Sequence, residues 1–119
     1  MIELLTQAQR EQMLANGRTS NQYNEEGKLF DPFPVVKLFT PDAGATWLLS
    51  ELDPDEPDIA FGLCDLGMGF PELGSVSMAE LAAVRGRIGL PVEQDRHFVA
   101  DKPLSAYARE ARRYQAIQA

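Results

Sequence analysis

Residues 59–76 read IAFGLCDLGMGFPELGSV, and the pattern of this segment predicts a β-hairpin. Its first part, 59–66, is rich in aromatic and aliphatic side chains, which predicts a strand. The next five residues, 67–71, carry two glycines and a proline, which are typical of a tight turn. Residues 72–76 predict a short return strand. Strands joined by so short a connection pair antiparallel, so the sequence predicts a small antiparallel sheet.

Two further strands are predicted upstream of this hairpin. β-Branched and aromatic residues predict strands over 34–40 and 45–52, joined by a turn at 41–44. Residues 53–58 hold two prolines, which predict a loop. Strict alternation of side chains along the second strand predicts two faces, with Trp47, Leu49 and Glu51 on one and Leu48 and Leu52 on the other.

The N-terminal segment predicts a helix followed by a long loop. Thr6 and Gln9 have the spacing of a capping box, which predicts that a helix begins there. Asn16-Gly17 is a typical helix stop, so the helix is expected to end at Gly17. Residues 18–33 are polar and show no period, which predicts a loop. A loop of that length in so small a domain is expected to be mobile or functional.

Two more helices and one strand are predicted downstream. Ser77 and Glu80 form a second capping-box pattern, and the helix that they begin is expected to end at Arg85-Gly86. Residues 92–99 predict a fifth strand. Asp101 is the expected N-cap of a last helix. That helix has one apolar stripe, predicted to face inward, of Leu104, Tyr107, Ala108, Ala111, Tyr114 and Ile117.

Together these elements predict an α+β fold: a small, curved, mostly antiparallel sheet of four to five strands, with N-terminal, central and C-terminal helices packed against it. A chain of 119 residues with 45% hydrophobic and 24% charged residues is expected to form a single globular domain over residues 1–119. No apolar run is long enough for a membrane span, and the N-terminus lacks the pattern of a secretory signal. With one cysteine, these features predict a cytoplasmic protein with no membrane partner.

The net charge of −7 is spread unevenly. Residues 38–84 carry nine acidic and no basic side chains, whereas residues 85–119 carry seven basic and four acidic ones. An anionic segment repels a phosphate backbone, which makes direct nucleic-acid binding by it an unfavoured interpretation. The same charge attracts a basic protein surface. The plainer interpretation is a solvated acidic face that keeps the protein soluble.

The glycine-rich stretch 61–74 lacks the lysine and the long following helix of a phosphate-binding loop. Its plainer interpretation is a turn between strands, with Gly62 marking a bulge or the close approach of another backbone. The functional interpretation is a rigid loop that presents Met68 and Phe70 to a partner as an apolar anchor. Cys64 lies mid-strand among apolar neighbours, which predicts a buried, unreactive thiol rather than a nucleophile paired with His97.

Four segments resemble the small bacterial proteins called domain of unknown function 2958. They are PVVKLFTPDAGATWLLSELDP (34–54), FGLCDLGMGFPELGSVSMAEL (61–81), RGRIGLPVEQDRHF (85–98) and KPLSAYAREAR (102–112). The resemblance extends from about residue 3 to residue 113, and its segments occur in the same order. It implies a cytoplasmic protein commonly encoded on plasmids, integrated conjugative elements and phages. The family has no agreed activity, so the resemblance implies no catalytic residue.

The favoured functional hypothesis is a non-enzymatic protein-interaction module of a mobile genetic element. It binds a basic partner surface through an acidic face, as an anti-defence protein or a DNA-mimic inhibitor would. The predicted partner-binding residues are Trp47, Glu51, Asp53, Asp65, Met68, Phe70 and Glu72. No catalytic, cofactor-binding or metal-binding residue is assigned, and no cofactor is expected.

Two alternatives remain open at this stage. One is a metal-dependent hydrolase centred on Asp65, Glu72 and His97, although one imidazole with scattered carboxylates is a weak metal signal. The other is a nucleic-acid binder that uses the arginines of the last helix, which are Arg109, Arg112 and Arg113.

Overall fold

The structure is a computed structural model, and it describes residues 3–119. Within these residues, three helices and five strands follow one another in the order α1 (Gln7–Glu25), β1 (Val36–Phe39), β2 (Thr46–Leu52), β3 (Ile59–Asp65), β4 (Glu72–Ser77), α2 (Met78–Ala83), β5 (Glu93–Gln94) and α3 (Leu104–Tyr114).

The five strands form one open sheet in the order β4-β3-β2-β1-β5, and every neighbouring pair is antiparallel. The fold is therefore α+β with a curved antiparallel sheet, as the sequence predicts. The turn at 41–44 is closed by Thr40, whose backbone N–H donates to the Ala45 carbonyl oxygen at 3.0 Å. The Thr40 hydroxyl oxygen also accepts from the Ala45 N–H at 2.9 Å.

A bulge in β2 changes which face its last residues occupy. The pairing of β2 with β3 shifts register between Leu49 and Glu51. Because the bulge adds one residue to the strand, Leu52 returns to the face that holds Leu49. The prediction that Leu52 shares a face with Leu48 is therefore wrong, because Leu48 belongs to the cluster on the other face. The prediction that Glu51 shares a face with Trp47 and Leu49 is also wrong, because after the bulge Glu51 pairs with Phe61 of that second cluster. The hydroxyl of Ser50, at the bulge, donates to the Phe61 carbonyl oxygen at 3.3 Å.

Gly62 on β3 lies opposite this bulge, as its position in the strand suggests. A Cβ atom at Gly62 would overlap the Leu48 carbonyl oxygen and the Leu49 Cα. Only glycine fits here, because the backbone of β2 occupies the place of a side chain. The predicted close backbone approach at Gly62 is confirmed.

The sheet has a core on each face. One face packs against α1, α2 and the N-terminal segment, and its buried members include Met13, Trp47 and Leu81. The other face packs against α3 around Leu48 and Leu63. Of the predicted stripe on α3, Leu104, Tyr107, Ala108 and Ala111 are buried, Ile117 packs against them in part, and Tyr114 is exposed.

The first helix is longer than predicted. It begins at the predicted capping box, with the Gln9 N–H donating to the Thr6 hydroxyl at 3.1 Å, but it continues through Gly17 to Glu25. Residues 18–25 are therefore helical and not a loop. Gly17 does not stop the helix because it serves a tertiary contact: a Cβ there would overlap the Leu52 carbonyl oxygen. The neighbouring Asn16 donates its side-chain N–H to the Ser50 carbonyl oxygen at 2.8 Å.

Two expectations for the C-terminal third are also corrected. The fifth strand spans only Glu93–Gln94, because the chain turns away after Asp95 donates its N–H to the Lys37 carbonyl oxygen at 2.9 Å. Asp101 does not cap α3, since it accepts from the Tyr107 hydroxyl at 2.9 Å instead. A distant residue takes its place: Asp31 accepts from the Ser105 N–H at 3.0 Å.

The contact at Gly17 can be tested by substitution, because helix propensity and packing predict opposite changes in the free energy of unfolding. On helix propensity alone, Gly17→Ala stabilises a helix by about 1 kcal/mol. We expect Gly17→Ala to lower the free energy of unfolding by about 1–3 kcal/mol, because the new methyl group forces α1 away from β2. Urea unfolding followed by circular dichroism measures the difference. Gln22→Ala, at an exposed site on the same helix, is the control and should leave stability nearly unchanged. An increase in stability for Gly17→Ala would contradict this packing.

Candidate functional site

The turn between β3 and β4 is held rigidly at its base. Gly67 and Gly69 have φ values of 81° and 85°, which other residues rarely adopt. The Asp65 carboxylate accepts from the Gly67 N–H at 2.8 Å and from the Ile117 N–H at 3.0 Å. Asp65 thereby joins the turn to the chain that follows α3. These contacts restrict the conformations that the turn can adopt.

Apolar side chains project from this rigid turn into solvent. Met68 is 71% exposed and Phe70 is 78% exposed, and Leu66 and Leu73 beside them are also exposed. Below Phe70 lies a groove of about 450 Å³, which we call the turn groove. Its apolar wall includes Leu63, Leu73 and Ala108, and Arg112 lies at its edge. Large exposed apolar side chains on a rigid support are typical of a binding surface.

The other end of β3 is acidic. Five carboxylates, which we call the acidic end, occur within eight residues: Glu51, Asp53, Asp55, Glu56 and Asp58. The ion pairs found within residues 3–119 join Lys28 to Glu26, Lys37 to Asp95, and Lys102 to Asp101 and Glu110. None of them includes a residue of the acidic end. Its negative charge is therefore not neutralised by an ion pair in the described part of the chain.

Glu51 is the least solvated of these carboxylates. Partial burial raises the pKa of Glu51, the Ser20 side chain opposes the rise by hydrogen bonding, and the negative charge of Asp53 adds to it. Glu51 and Asp53 lie beside a groove of about 370 Å³, which we call the acidic groove. Its lining combines polar side chains of α1 with apolar ones that include Phe30 and Phe61. This combination suits a ligand with an apolar stem and a positive tip.

Asp58 has a different part in the acidic end. Its carboxylate accepts from the Ser77 hydroxyl at 2.6 Å and from the Ala79 N–H at 2.9 Å. The hydrogen bond from Ser77 and then that from Ala79 lower the pKa of Asp58, burial opposes them, and the positive charge of Arg10 adds a smaller lowering. Asp58 therefore anchors the start of α2, whereas Asp55 and Glu56 are exposed at the tip of the loop.

The predicted partner-binding residues do not form one surface. Trp47 and Asp65 are each 4% exposed, so burial removes both from any docking face of this fold. Glu51 and Asp53 belong to the acidic end, whereas Met68 and Phe70 lie in the turn between β3 and β4 and Glu72 is the first residue of β4. The two groups are separated by the seven residues of β3, or about 20 Å.

The residues of the alternative metal centre are also far apart. Asp65 is buried with both carboxylate oxygens engaged, while His97 is exposed beyond β5. Glu72 lies on β4, at the opposite edge of the sheet from β5, about 19 Å away over four strand spacings. Among residues 3–119, no three side chains of His, Cys, Asp or Glu come close enough to hold a metal ion.

The only cysteine lies on the face of the sheet that packs against α1 and α2. Cys64 is half-buried beside that core and forms no disulfide. Burial raises the pKa of the Cys64 thiol, and no basic group contributes to the shift. His97 lies beyond β5, at the far edge of the sheet from Cys64 on β3, so this imidazole is not near the thiol.

The arginines of α3 are exposed and do not gather around a ligand-sized site. Arg113 lies over the Tyr114 ring at 5.5 Å, and Arg112 borders the turn groove. Sequence reasoning did not place Arg112 next to Phe70. Nor did it place Ser20 and Asn21 at the acidic groove, because both fall in the segment that was expected to be a loop. The signal that could have found them is the absence of proline from residues 18–31.

A further surface depression, of about 800 Å³, lies elsewhere, between residues 3–6 and β5. The polar side chain at its centre, Gln94, already donates to the Leu4 carbonyl oxygen at 2.7 Å and is hydrogen-bonded to Gln9 at 2.9 Å. Because these groups satisfy one another, this depression offers less for recognition than the two smaller grooves.

Fold and surface together define a small α+β domain with an open antiparallel sheet and two grooves on one sheet face. A family described as "Protein of unknown function (DUF2958)" matches residues 4–118, and the chain belongs to that family. Neither the curated proteins nor the solved structures contain a significant match to the chain. Within residues 3–119, none of the helices has the length and apolar character needed to cross a membrane.

The partial burial of Glu51 leads to a prediction about stability. A carboxyl whose pKa is raised by folding destabilises the folded state when it is ionised. We therefore expect Glu51→Gln to raise the free energy of unfolding at pH 7, by less than about 1 kcal/mol because the group is half exposed. The gain should shrink as the pH falls through the raised pKa of Glu51. Thermal unfolding at pH 7 and pH 4 measures it, and a loss of stability at pH 7 would contradict the assigned environment.

The environment of Cys64 yields a prediction of reactivity. A raised pKa leaves less thiolate at any given pH, so we expect iodoacetamide to modify folded Cys64 several-fold more slowly than the urea-unfolded chain at pH 8. Mass spectrometry over time measures both rates. Faster modification of the folded protein would indicate an activated nucleophile and would overturn this assignment.

Proposed function

We propose that this protein is a non-enzymatic protein-interaction module that binds a basic surface of a partner protein through its acidic end. The single observation that supports the proposal is that the five carboxylates of the acidic end take part in none of the ion pairs found within residues 3–119. Charge of one sign that is not engaged in ion pairs accelerates association with an oppositely charged surface and selects against wrong partners.

Glu51 adds to the case for binding rather than for solubility alone. A carboxylate needed only for solubility would be fully solvated, whereas Glu51 is half-buried, and this burial together with repulsion from Asp53 disfavours its ionised form. Unfavourable charge placement of this kind is concentrated at functional sites. A basic side chain in the acidic groove would relieve it.

The biological setting is the finer part of the proposal. The family resemblance implies a protein of plasmids, conjugative elements or phages. We place the partner among proteins with a DNA-binding surface, such as a host defence nuclease or a replication or transfer protein. The carboxylates of the acidic end would occupy positions that DNA phosphates take on that surface.

Charge reversal at the loop tip tests the proposal. Asp55→Lys with Glu56→Lys changes the net charge from −7 to −3, and the matched control Glu11→Lys with Glu93→Lys makes the same change elsewhere. We expect a partner recovered by pull-down from host lysate to be lost by the first variant and kept by the second. Binding of the isolated partner should weaken as salt rises.

Two results would count against the proposal. One is a partner that binds wild type and both double variants alike. The other is a shift of double-stranded DNA at low salt that Arg109→Ala and Arg112→Ala abolish, since this would favour the arginine helix as a nucleic-acid site.

A further inference from the structure

The two edges of the sheet are treated differently by the fold. At one edge, β5 has only two residues, follows Pro91, and is tied to the N-terminal segment through Gln94. Short strands and prolines are ordinary means of preventing an edge from pairing with another chain. At the other edge, β4 has six residues, and its sequence ELGSVS contains no lysine and no proline. The β4 edge is therefore the unprotected one.

The ladder between β3 and β4 determines which backbone groups of β4 point outward. Just beyond the strands, the Met78 N–H donates to the Asp58 carbonyl oxygen at 2.8 Å. Hydrogen-bonded pairs alternate along an antiparallel ladder, so Val76, Gly74 and Glu72 bond to β3. The N–H and C=O groups of Leu73 and Ser75 consequently point away from the sheet. Both residues are exposed.

The two grooves meet along this same edge. Ser75 lines the acidic groove and Leu73 lines the turn groove. They are alternate residues of one strand, so their side chains share a face and lie about 7 Å apart. Their partners on β3, Phe61 and Leu63, continue the same row. An uncovered strip beside β4 therefore connects a groove rimmed by carboxylates with an apolar one.

We infer that β4 binds an extended peptide segment of a partner protein, which adds to the sheet as a sixth, antiparallel strand. Its backbone would pair with Leu73 and Ser75, an apolar side chain would enter the turn groove, and an arginine or lysine would enter the acidic groove. Backbone pairing with pockets for alternate side chains is the usual form of strand addition. The inference deepens the proposed function, since the basic side chain is the one that the acidic end attracts.

Charge favours such a peptide over a second copy of this chain. Each copy has a net charge of −7, and residues 38–84 contain no lysine or arginine. A second β4 strand would therefore bring no cation to Glu51 and Asp53. Two copies of this charge also repel each other.

A proline substitution tests strand addition without breaking the sheet. Proline is tolerated on edge strands where its missing N–H would face solvent. Ser75→Pro removes an outward donor and leaves the ladder to β3 in place, and Ser75→Val keeps the donor as a matched control. Thermal unfolding checks that both variants fold. Leu73→Lys is a second variant that keeps the backbone intact and adds the charge that natural edges use against pairing.

The probe is the acetylated, amidated peptide Arg-Thr-Val-Thr-Phe-Thr, which in antiparallel pairing places arginine at the acidic groove and phenylalanine at the turn groove. Amide chemical shifts during titration report binding. We expect shifts at Leu73 and Ser75, and a loss of affinity in Ser75→Pro about tenfold or more greater than in Ser75→Val, which makes the same loss of the hydroxyl but keeps the N–H donor. The same peptide with its sequence reversed should bind more weakly.

The outcomes separate this inference from the proposed function. Glu51→Gln with Asp53→Asn should also weaken peptide binding. If that variant weakens binding and Ser75→Pro does not, strand addition is overturned while attraction of a basic partner stands. If Ser75→Pro weakens binding and the Glu51 and Asp53 changes do not, the arginine site is overturned and the proposed function loses support. If the peptide binds neither the wild-type protein nor any of the variants, the inference is overturned. Self-association that Ser75→Pro abolishes would make a second copy the occupant instead.

Discussion

The close approach of backbone to β2 from two sides is the constraint on which the rest of the structure depends. Gly62 of β3 and Gly17 of α1 each lie where a Cβ would overlap a carbonyl oxygen of β2. Between these two contacts is the bulge, whose Ser50 carbonyl oxygen is bound by the Asn16 side chain. Because glycine has no side chain, α1 and β3 can each bring their backbone into direct contact with the irregular backbone of β2.

The bulge also shapes the candidate binding surface. Without the extra residue, Leu52 would leave the core that contains Leu49, and the strand would continue in regular alternation. With it, Leu52 is fully buried and Glu51 is held at the acidic groove near Ser20 of α1. A single irregularity thus completes the hydrophobic core and places a carboxylate where water solvates it poorly. The poor solvation of Glu51 is tolerated because the burial of Leu52 contributes much more to the free energy of unfolding.

The strands could be predicted from sequence because their signals are local. Turn residues at 41–44 and 67–71, with apolar runs between them, determine hairpins without reference to the rest of the chain. The predicted end of α1 failed for the opposite reason. Asn16-Gly17 has the local form of a helix stop, yet both residues are used for contacts with residues more than thirty positions away. A single sequence does not distinguish a glycine that ends a helix from one that packs it.

The candidate site shows the same division between local and long-range information. Exposure of Met68 and Phe70 could be predicted because a glycine-rich turn projects its own side chains. The burial of Trp47 and Asp65 could not, because it depends on α2 and on the chain after α3. Nor could sequence separate the acidic residues from the apolar turn, because both belong to one continuous anionic segment.

The separation of the acidic end from the apolar turn changes what the negative charge contributes to binding. A uniform acidic face would attract any basic surface and give little specificity. Charge concentrated at one end of β3, with an apolar anchor at the other end and an unpaired strand edge between them, imposes an order along a bound segment. The carboxylates attract, the apolar groove contributes buried area, and the β4 backbone fixes direction and register. Specificity then comes from the order of unlike features along the β4 edge and not from the net charge of the chain.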